Sequence, residues 1–78
     1  GSSSRESEMF EVRHEDDAWE IGVLNARFFF GDLKNAQELG VGFDLRGAFQ
    51  AGMHDHCNLT DERVQRFADQ WGVEHANG

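Results

Sequence analysis

The sequence predicts an α+β domain: a three-stranded antiparallel meander followed by two or three helices packed on one face of the sheet. Two observations predict this class. Through the first third of the chain apolar residues alternate with polar ones, which is the period of half-buried strands. After Gly31 the apolar residues recur instead at the spacing of an amphipathic helix. The expected elements are strands at about 9–14, 18–24 and 26–30 and helices at about 33–39, 44–57 and 61–71.

The first strand rests on the alternation of Phe10 and Val12 with Glu11 and Arg13. The polar residues after it, centred on Asp16-Asp17, predict a tight turn because Asp tolerates left-handed backbone angles.

The second and third strands come from Ala18 to Phe30, the densest apolar run in the chain. A turn at Leu24-Asn25 would pair these strands and place one set of side chains on a shared inner face. That inner set comprises Phe10, Val12, Trp19, Ile21, Val23, Phe28 and Phe30. The same register leaves Phe29 on the outer face, beside Gly22. There it is either covered by the chain's own helices or an anchor for a partner, because exposed aromatic residues mark interfaces.

The helical half divides at Gly40-Val41-Gly42, since two glycines disfavour a helix interior. A helix that restarts at Asp44 is one interpretation, and a fourth strand through Val41, Phe43 and Leu45 is the other. The last helix has clear ends: Thr60 is a good N-cap and Gly72 a natural C′ residue.

The domain organisation follows from composition. Residues 1–8 contain no apolar side chain and begin with GSSS, so they are expected to be a disordered tag or leader. Residues 9–74 form a single small domain and 75–78 a frayed end. Met9 is either a native start or an internal residue. About seventy residues build only a marginal core, and a homodimer would add buried area.

Charge is the strongest global signal. Fifteen acidic residues face seven basic ones, which gives a formal charge of −8 and a pI near 4.7. Phosphate backbones repel such a chain, so direct nucleic-acid binding is disfavoured. The acidic balance fits simple solubility, a basic protein partner, or mimicry of a nucleic acid's charge. With one cysteine, no membrane-length apolar run and no signal peptide, a cytoplasmic protein is expected.

No constellation of residues predicts catalysis or a cofactor. His54 and Cys57 are the nearest to a metal pattern, since they lie about one helical turn apart. A second compact ligand pair is missing, however, so no metal is predicted. The serines all lie in the leader, and no glycine-rich phosphate loop is present. The chain is therefore predicted not to be an enzyme.

The order of three short strands followed by FFFGDLKNAQELG resembles HicB-type antitoxins and related small bacterial β-β-β-α modules. The resemblance covers about Phe10 to Leu39 and carries over no functional residue. In size and acidity, the chain is also similar in type to phage-encoded inhibitors, including anti-CRISPR proteins.

These observations predict a non-catalytic, acidic protein-binding module, and more specifically an inhibitor that occupies a basic, nucleic-acid-binding surface of its target. A structural or oligomerisation domain of a larger protein, or a HicB-like antitoxin module, is the alternative. The expected contact residues are Glu11, Glu15, Asp16, Asp17, Glu20, Arg27 and Phe29.

Overall fold

The computed structural model describes residues 10–73, and over that range the chain is helical, with no β-strand. The four α-helices are α1 (Glu15–Leu24), α2 (Asn35–Glu38), α3 (Arg46–Asp55) and α4 (Asp61–Trp71). A π-helical segment, Asn25–Phe29, continues α1, and 3₁₀ turns at Phe43–Leu45 and His56–Asn58 flank α3. The predicted α+β class is therefore wrong. The β-β-β-α fold that the HicB resemblance implied is wrong with it.

Each predicted strand has another structure. Residues 10–13 are a lead-in without regular secondary structure, 18–24 lie inside α1, and 26–29 lie in the π segment. Asp16-Asp17, predicted as a turn, belongs to the first turn of α1, where carboxylates face the positive end of the helix dipole. Leu24-Asn25, predicted as the second turn, is the point where α1 passes into the π segment.

The alternation was misleading because α1 is covered on several sides. Five consecutive residues, from Ile21 to Asn25, are buried, so the polar-apolar contrast that reveals a helical period is absent. A short apolar run of this kind fits a strand or a buried helix equally well.

The closest packing in the fold is the crossing of α1 and α3. A Cβ added to Gly22 would overlap the carbonyl oxygen of Phe49, and one added to Gly52 would overlap that of Trp19. Moving forward along α1 from 19 to 22 therefore corresponds to moving backward along α3 from 52 to 49, so the two helices run antiparallel. Their backbones touch because both contact positions lack a side chain.

The two middle helical predictions are partly wrong. The helix expected at 33–39 is only the single turn of α2, and the helix expected at 44–57 consists of α3 with a 3₁₀ turn at each end. The alternative fourth strand through 41–45 does not form: Val41 is buried in the core, whereas Phe43 is exposed in a 3₁₀ turn. The helices pack on α1 instead of on a sheet.

The predicted helix at 61–71 is confirmed as α4. Its N-cap is Thr60, whose Oγ1 accepts a hydrogen bond of 3.3 Å from the amide of Arg63. Gly72 ends the helix in the left-handed region at φ 74°, and the amide of Val73 donates to the Ala68 carbonyl at 2.8 Å. These are the bonds that satisfy the free backbone groups at helix ends.

The core lies where α1 meets α3 and α4, and its largest fully buried side chains are those of Phe49, Ile21, Leu24, Val23, Val64 and Asn25. Ile21 and Val23 are thus in the core as predicted. Trp19 and Phe28 are half-buried against it, and Phe30 is exposed. The predicted leader, 1–8, and the predicted frayed end, 75–78, lie outside the described residues.

Candidate functional site

Three of the predicted contact residues lie in the first turn of α1, and a fourth, Glu11, precedes that turn by four residues. Glu11 is exposed on the lead-in, Glu15 and Asp16 are exposed in the first helical turn, and Asp17 is half-exposed there. Their position also stabilises the helix, because carboxylates interact favourably with the free amides of a first turn. In residues 10–73 the only ion pair found joins Arg27 to Asp61, so none of these four carboxylates is in an ion pair within that range. We call Glu11, Glu15, Asp16 and Asp17 the acidic end.

Glu20 does not belong to this free set. Its Oε1 accepts hydrogen bonds from the indole Nε1 of Trp71 at 2.9 Å and from Nε2 of Gln70 at 3.1 Å. The other tryptophan also donates to a carboxylate: Nε1 of Trp19 bonds to Oδ2 of Asp55 at 3.0 Å. Both indoles therefore tie helices together through a carboxylate, and Glu20 fastens α4 to α1.

Replacing Glu20 with Ala is expected to destabilise the protein by about 1–2 kcal/mol, because it leaves a partly buried indole N–H without an acceptor. Glu20→Gln keeps an acceptor oxygen on a side chain of the same length, so its loss of folding free energy should be clearly smaller. The free energy of unfolding from urea titrations of both variants measures the difference. If Glu20→Ala were as stable as the wild type, Glu20 would be a free surface charge after all.

Arg27 and Phe29 lie in the π segment beyond the other end of α1, and Arg27 follows Glu15 by twelve residues, about 18 Å at the rise of an α-helix. Arg27 forms the ion pair with Asp61, the first residue of α4. The half-buried ring of Phe29 packs against Phe10 at 6.4 Å between centroids, so the chain covers it itself. The structure therefore separates the first turn of α1 from Arg27, whereas Phe29 lies beside Phe10, the neighbour of Glu11.

Two exposed aromatic residues were missed by the sequence analysis. Phe30 is 78% exposed and Phe43 is 83% exposed. The guanidinium carbon of Arg46 lies 5.4 Å from the centroid of the Phe43 ring, a cation–π contact. The sequence did contain one signal for Phe30: three consecutive residues of a helix cannot all face the same core, so one of Phe28, Phe29 and Phe30 had to turn outward.

Phe30 lies in a turn that Asn25 holds from inside the protein. The side chain of Asn25 is fully buried, and its Nδ2 donates to the carbonyls of Gly31 at 3.1 Å and Asp32 at 3.4 Å. Its backbone carbonyl accepts from the amides of Phe30 and, at 3.2 Å, of Gly31. Oδ1 of Asn25 is buried without a hydrogen-bond partner. We call Asn25, Phe30, Gly31 and Asp32 the Phe30 turn.

The residues considered for metal or nucleophile chemistry are on the surface. His54 is exposed in the last turn of α3, and Cys57 is exposed in the 3₁₀ turn after it, with Sγ 3.5 Å from Nε2 of His56. Within 10–73, no three His, Cys, Asp or Glu side chains are arranged to hold a metal ion. A depression at the start of α4 is lined by Thr60, Glu62, Arg63 and Arg66. Its charges are mixed, so it favours no single class of ligand.

No helix in the described part of the chain has the length and apolar character needed to cross a membrane. In comparisons with known proteins, the chain matches no family model, and neither the curated proteins nor the solved structures give a significant match.

Proposed function

We propose that this chain is a non-catalytic binding module that recognises a basic surface of a protein partner. The observation that carries the proposal is the acidic end, four carboxylates that form no ion pair within residues 10–73, on a chain with a formal charge of −8. Such a field attracts a positively charged surface and accelerates the encounter with it. In its sharper form, the proposal is an inhibitor that occupies a basic nucleic-acid-binding surface, as phage-encoded anti-CRISPR proteins do.

The proposal is tested by retaining a partner from a lysate of the source organism on the immobilised chain and identifying it. A retained protein with a basic surface supports the general form. In the sharper form, duplex DNA or RNA must compete with the chain for that purified protein. Failure of nucleic acid to compete contradicts the inhibitor and leaves the binding module.

Neutralising Glu15, Asp16 and Asp17 as Gln, Asn and Asn should slow association with the retained protein about tenfold at low salt. The reason is that these carboxylates steer the encounter. The dependence of the association rate on salt should flatten in parallel, because fewer charges remain to be screened. Stopped-flow or surface-based kinetics at several salt concentrations measure both effects. Glu20 is left intact because it fastens α4 to α1.

A matched control separates the acidic end from net charge alone. It neutralises three exposed carboxylates elsewhere on the molecule: Glu38, Asp44 and Glu62. This control should retain most of the association rate. Equal slowing by both triple variants would assign the effect to total charge and contradict a role for the acidic end.

A structural or oligomerisation module is the second candidate, and exposed Phe30 and Phe43 favour it, since exposed aromatic residues also occur where copies of a chain meet. The two candidates predict different masses in solution. Light scattering that gives a monomer at high protein concentration contradicts self-association.

A further inference from the structure

The backbone of Phe30 is in a conformation that its side chain disfavours. Its φ of 53° and ψ of 33° lie in the left-handed region, and Phe30 is the only residue other than glycine at positive φ between 10 and 73. A bulky residue there is a real outlier, and helix ends usually place glycine at this position. A glycine is present, but one residue later, at Gly31. The fold therefore accepts strain at Phe30 while leaving its ring 78% exposed.

The surrounding turn fixes this conformation. Asn25 binds the chain on both sides of Phe30: its backbone carbonyl accepts from the Phe30 and Gly31 amides, and its side-chain amide donates to the Gly31 and Asp32 carbonyls. A Cβ at Gly31 would overlap the side-chain amide of Asn35 and lie 2.7 Å from Oδ1 of Asn25, so a larger residue there would displace those side chains. Strained residues persist where the structure around them over-determines their backbone, and they cluster at binding sites. The backbone that carries the outward Phe30 ring is therefore fixed before any partner arrives.

We propose that Phe30 is the aromatic anchor of the binding surface, and that its occupant is an apolar pocket on a protein partner with basic side chains around the rim. This inference rests on the proposed binding function, and it assigns the largest share of the binding free energy to the Phe30 turn instead of the acidic end. An exposed aromatic residue on a fixed backbone gives contact area at a reduced cost in ordering, which is the character of an interface hot spot.

Charge identifies the class of occupant. Exposed Asp32 lies two residues after Phe30, whereas Asp61 is paired with Arg27 and adds no net charge there. A formal charge of −8 makes a second copy of the chain a poor occupant, because like charges repel. Charge therefore favours a basic surface as the other side of the contact. One phenylalanine ring contributes about 150–250 Å² and a stable interface needs about 1,000 Å² or more, so the partner must also touch residues around Phe30.

The test uses the protein that the wild-type chain retains, purified after its identification. Phe30→Ser should weaken its affinity about 30-fold, the size of a hot-spot effect, mainly through faster dissociation. Phe30→Gly should weaken affinity equally while raising the midpoint of thermal unfolding by about 4 °C, because glycine relieves the left-handed strain. A variant that is more stable yet binds poorly cannot owe its loss to unfolding. Calorimetry and thermal melts measure the two quantities.

Phe43→Ser is the matched control, since Phe43 is equally exposed but its backbone is not left-handed. Affinity within about twofold of wild type is expected for it. An equal loss from Phe43→Ser, or an unchanged affinity for Phe30→Ser, overturns the inference while the binding function stands. A wild-type dimer that Phe30→Ser dissolves also overturns it, in favour of a second copy. If the wild type retains no protein, the binding function fails first and this inference fails with it.

Discussion

Replacing Gly52 with Ala is expected to cost about 3 kcal/mol of folding free energy, a large share of the stability of a domain this small. The added methyl group would overlap the carbonyl oxygen of Trp19, which belongs to the backbone of α1 and cannot rotate away. The two helices must then separate, and every contact along their crossing loosens. Gly22→Ala should have a similar effect, because its methyl group would meet the Phe49 carbonyl from the opposite side.

Gly47→Ala is the matched control, because it makes the same chemical change in the same helix. Gly47 is exposed in α3, and an added Cβ there meets no atom within 4 Å. Alanine should therefore stabilise the protein by about 0.5–1 kcal/mol through helix propensity alone. Urea unfolding of the two variants should give changes of opposite sign. Equal changes would mean that the backbones of α1 and α3 do not touch at their crossing.

The sequence pattern predicts α4 correctly but fails for α1, and the difference lies in how each helix is buried. α4 is solvated on one face, so its apolar stripe and its caps, Thr60 and Gly72, are visible as a pattern. α1 is buried by partners on several sides, so its pattern carries no period, and three alternating residues suggested a strand. The feature that decides its structure is Gly22, whose partner Gly52 is thirty residues away. Pairings across that distance cannot be read from local spacing.

The candidate site shows the same limit. The exposure of Glu15 and Asp16 followed from charge alone, because unpaired carboxylates remain in water. Phe30, predicted for the core, is exposed, and Phe29, predicted as either covered by the chain or a partner anchor, is covered by the chain. A strand register counts alternate residues, whereas the chain here forms a π-helical turn and then a left-handed residue. Such a turn accommodates one extra residue and rotates the residues after it. Local composition does not predict this turn, because the turn depends on the buried side-chain amide of Asn25, which donates to the carbonyls of Gly31 and Asp32.

Replacing Asn25 with Asp, a change of one group at constant shape, is expected to destabilise the protein by about 3 kcal/mol at pH 7. The substitution replaces the donor Nδ2 with a carboxylate oxygen. That oxygen is an acceptor, so it would repel the carbonyl oxygens of Gly31 and Asp32. The site is fully buried, and Oδ1 already lacks a partner there. A buried charge without a cation or hydrogen bonds is among the costliest changes a small domain can undergo.

The loss should depend on pH in a defined direction. Burial raises the pKa of the introduced carboxyl in the folded protein above the value of about 3.9 for Asp in an unfolded chain. The penalty is therefore full at high pH and shrinks as pH falls through the folded pKa, where the protonated acid can donate to one carbonyl. The difference in unfolding free energy between variant and wild type, measured from pH 7 to pH 4, should narrow.

Asn58→Asp supplies the control, because it adds the same charge at an exposed residue after α3 and should change stability by less than about 0.5 kcal/mol at any of these pH values. If Asn25→Asp were equally mild, the buried amide would not hold the Phe30 turn. The left-handed conformation of Phe30 would then be supported only by the backbone carbonyl at position 25, which accepts from the amides of Phe30 and Gly31.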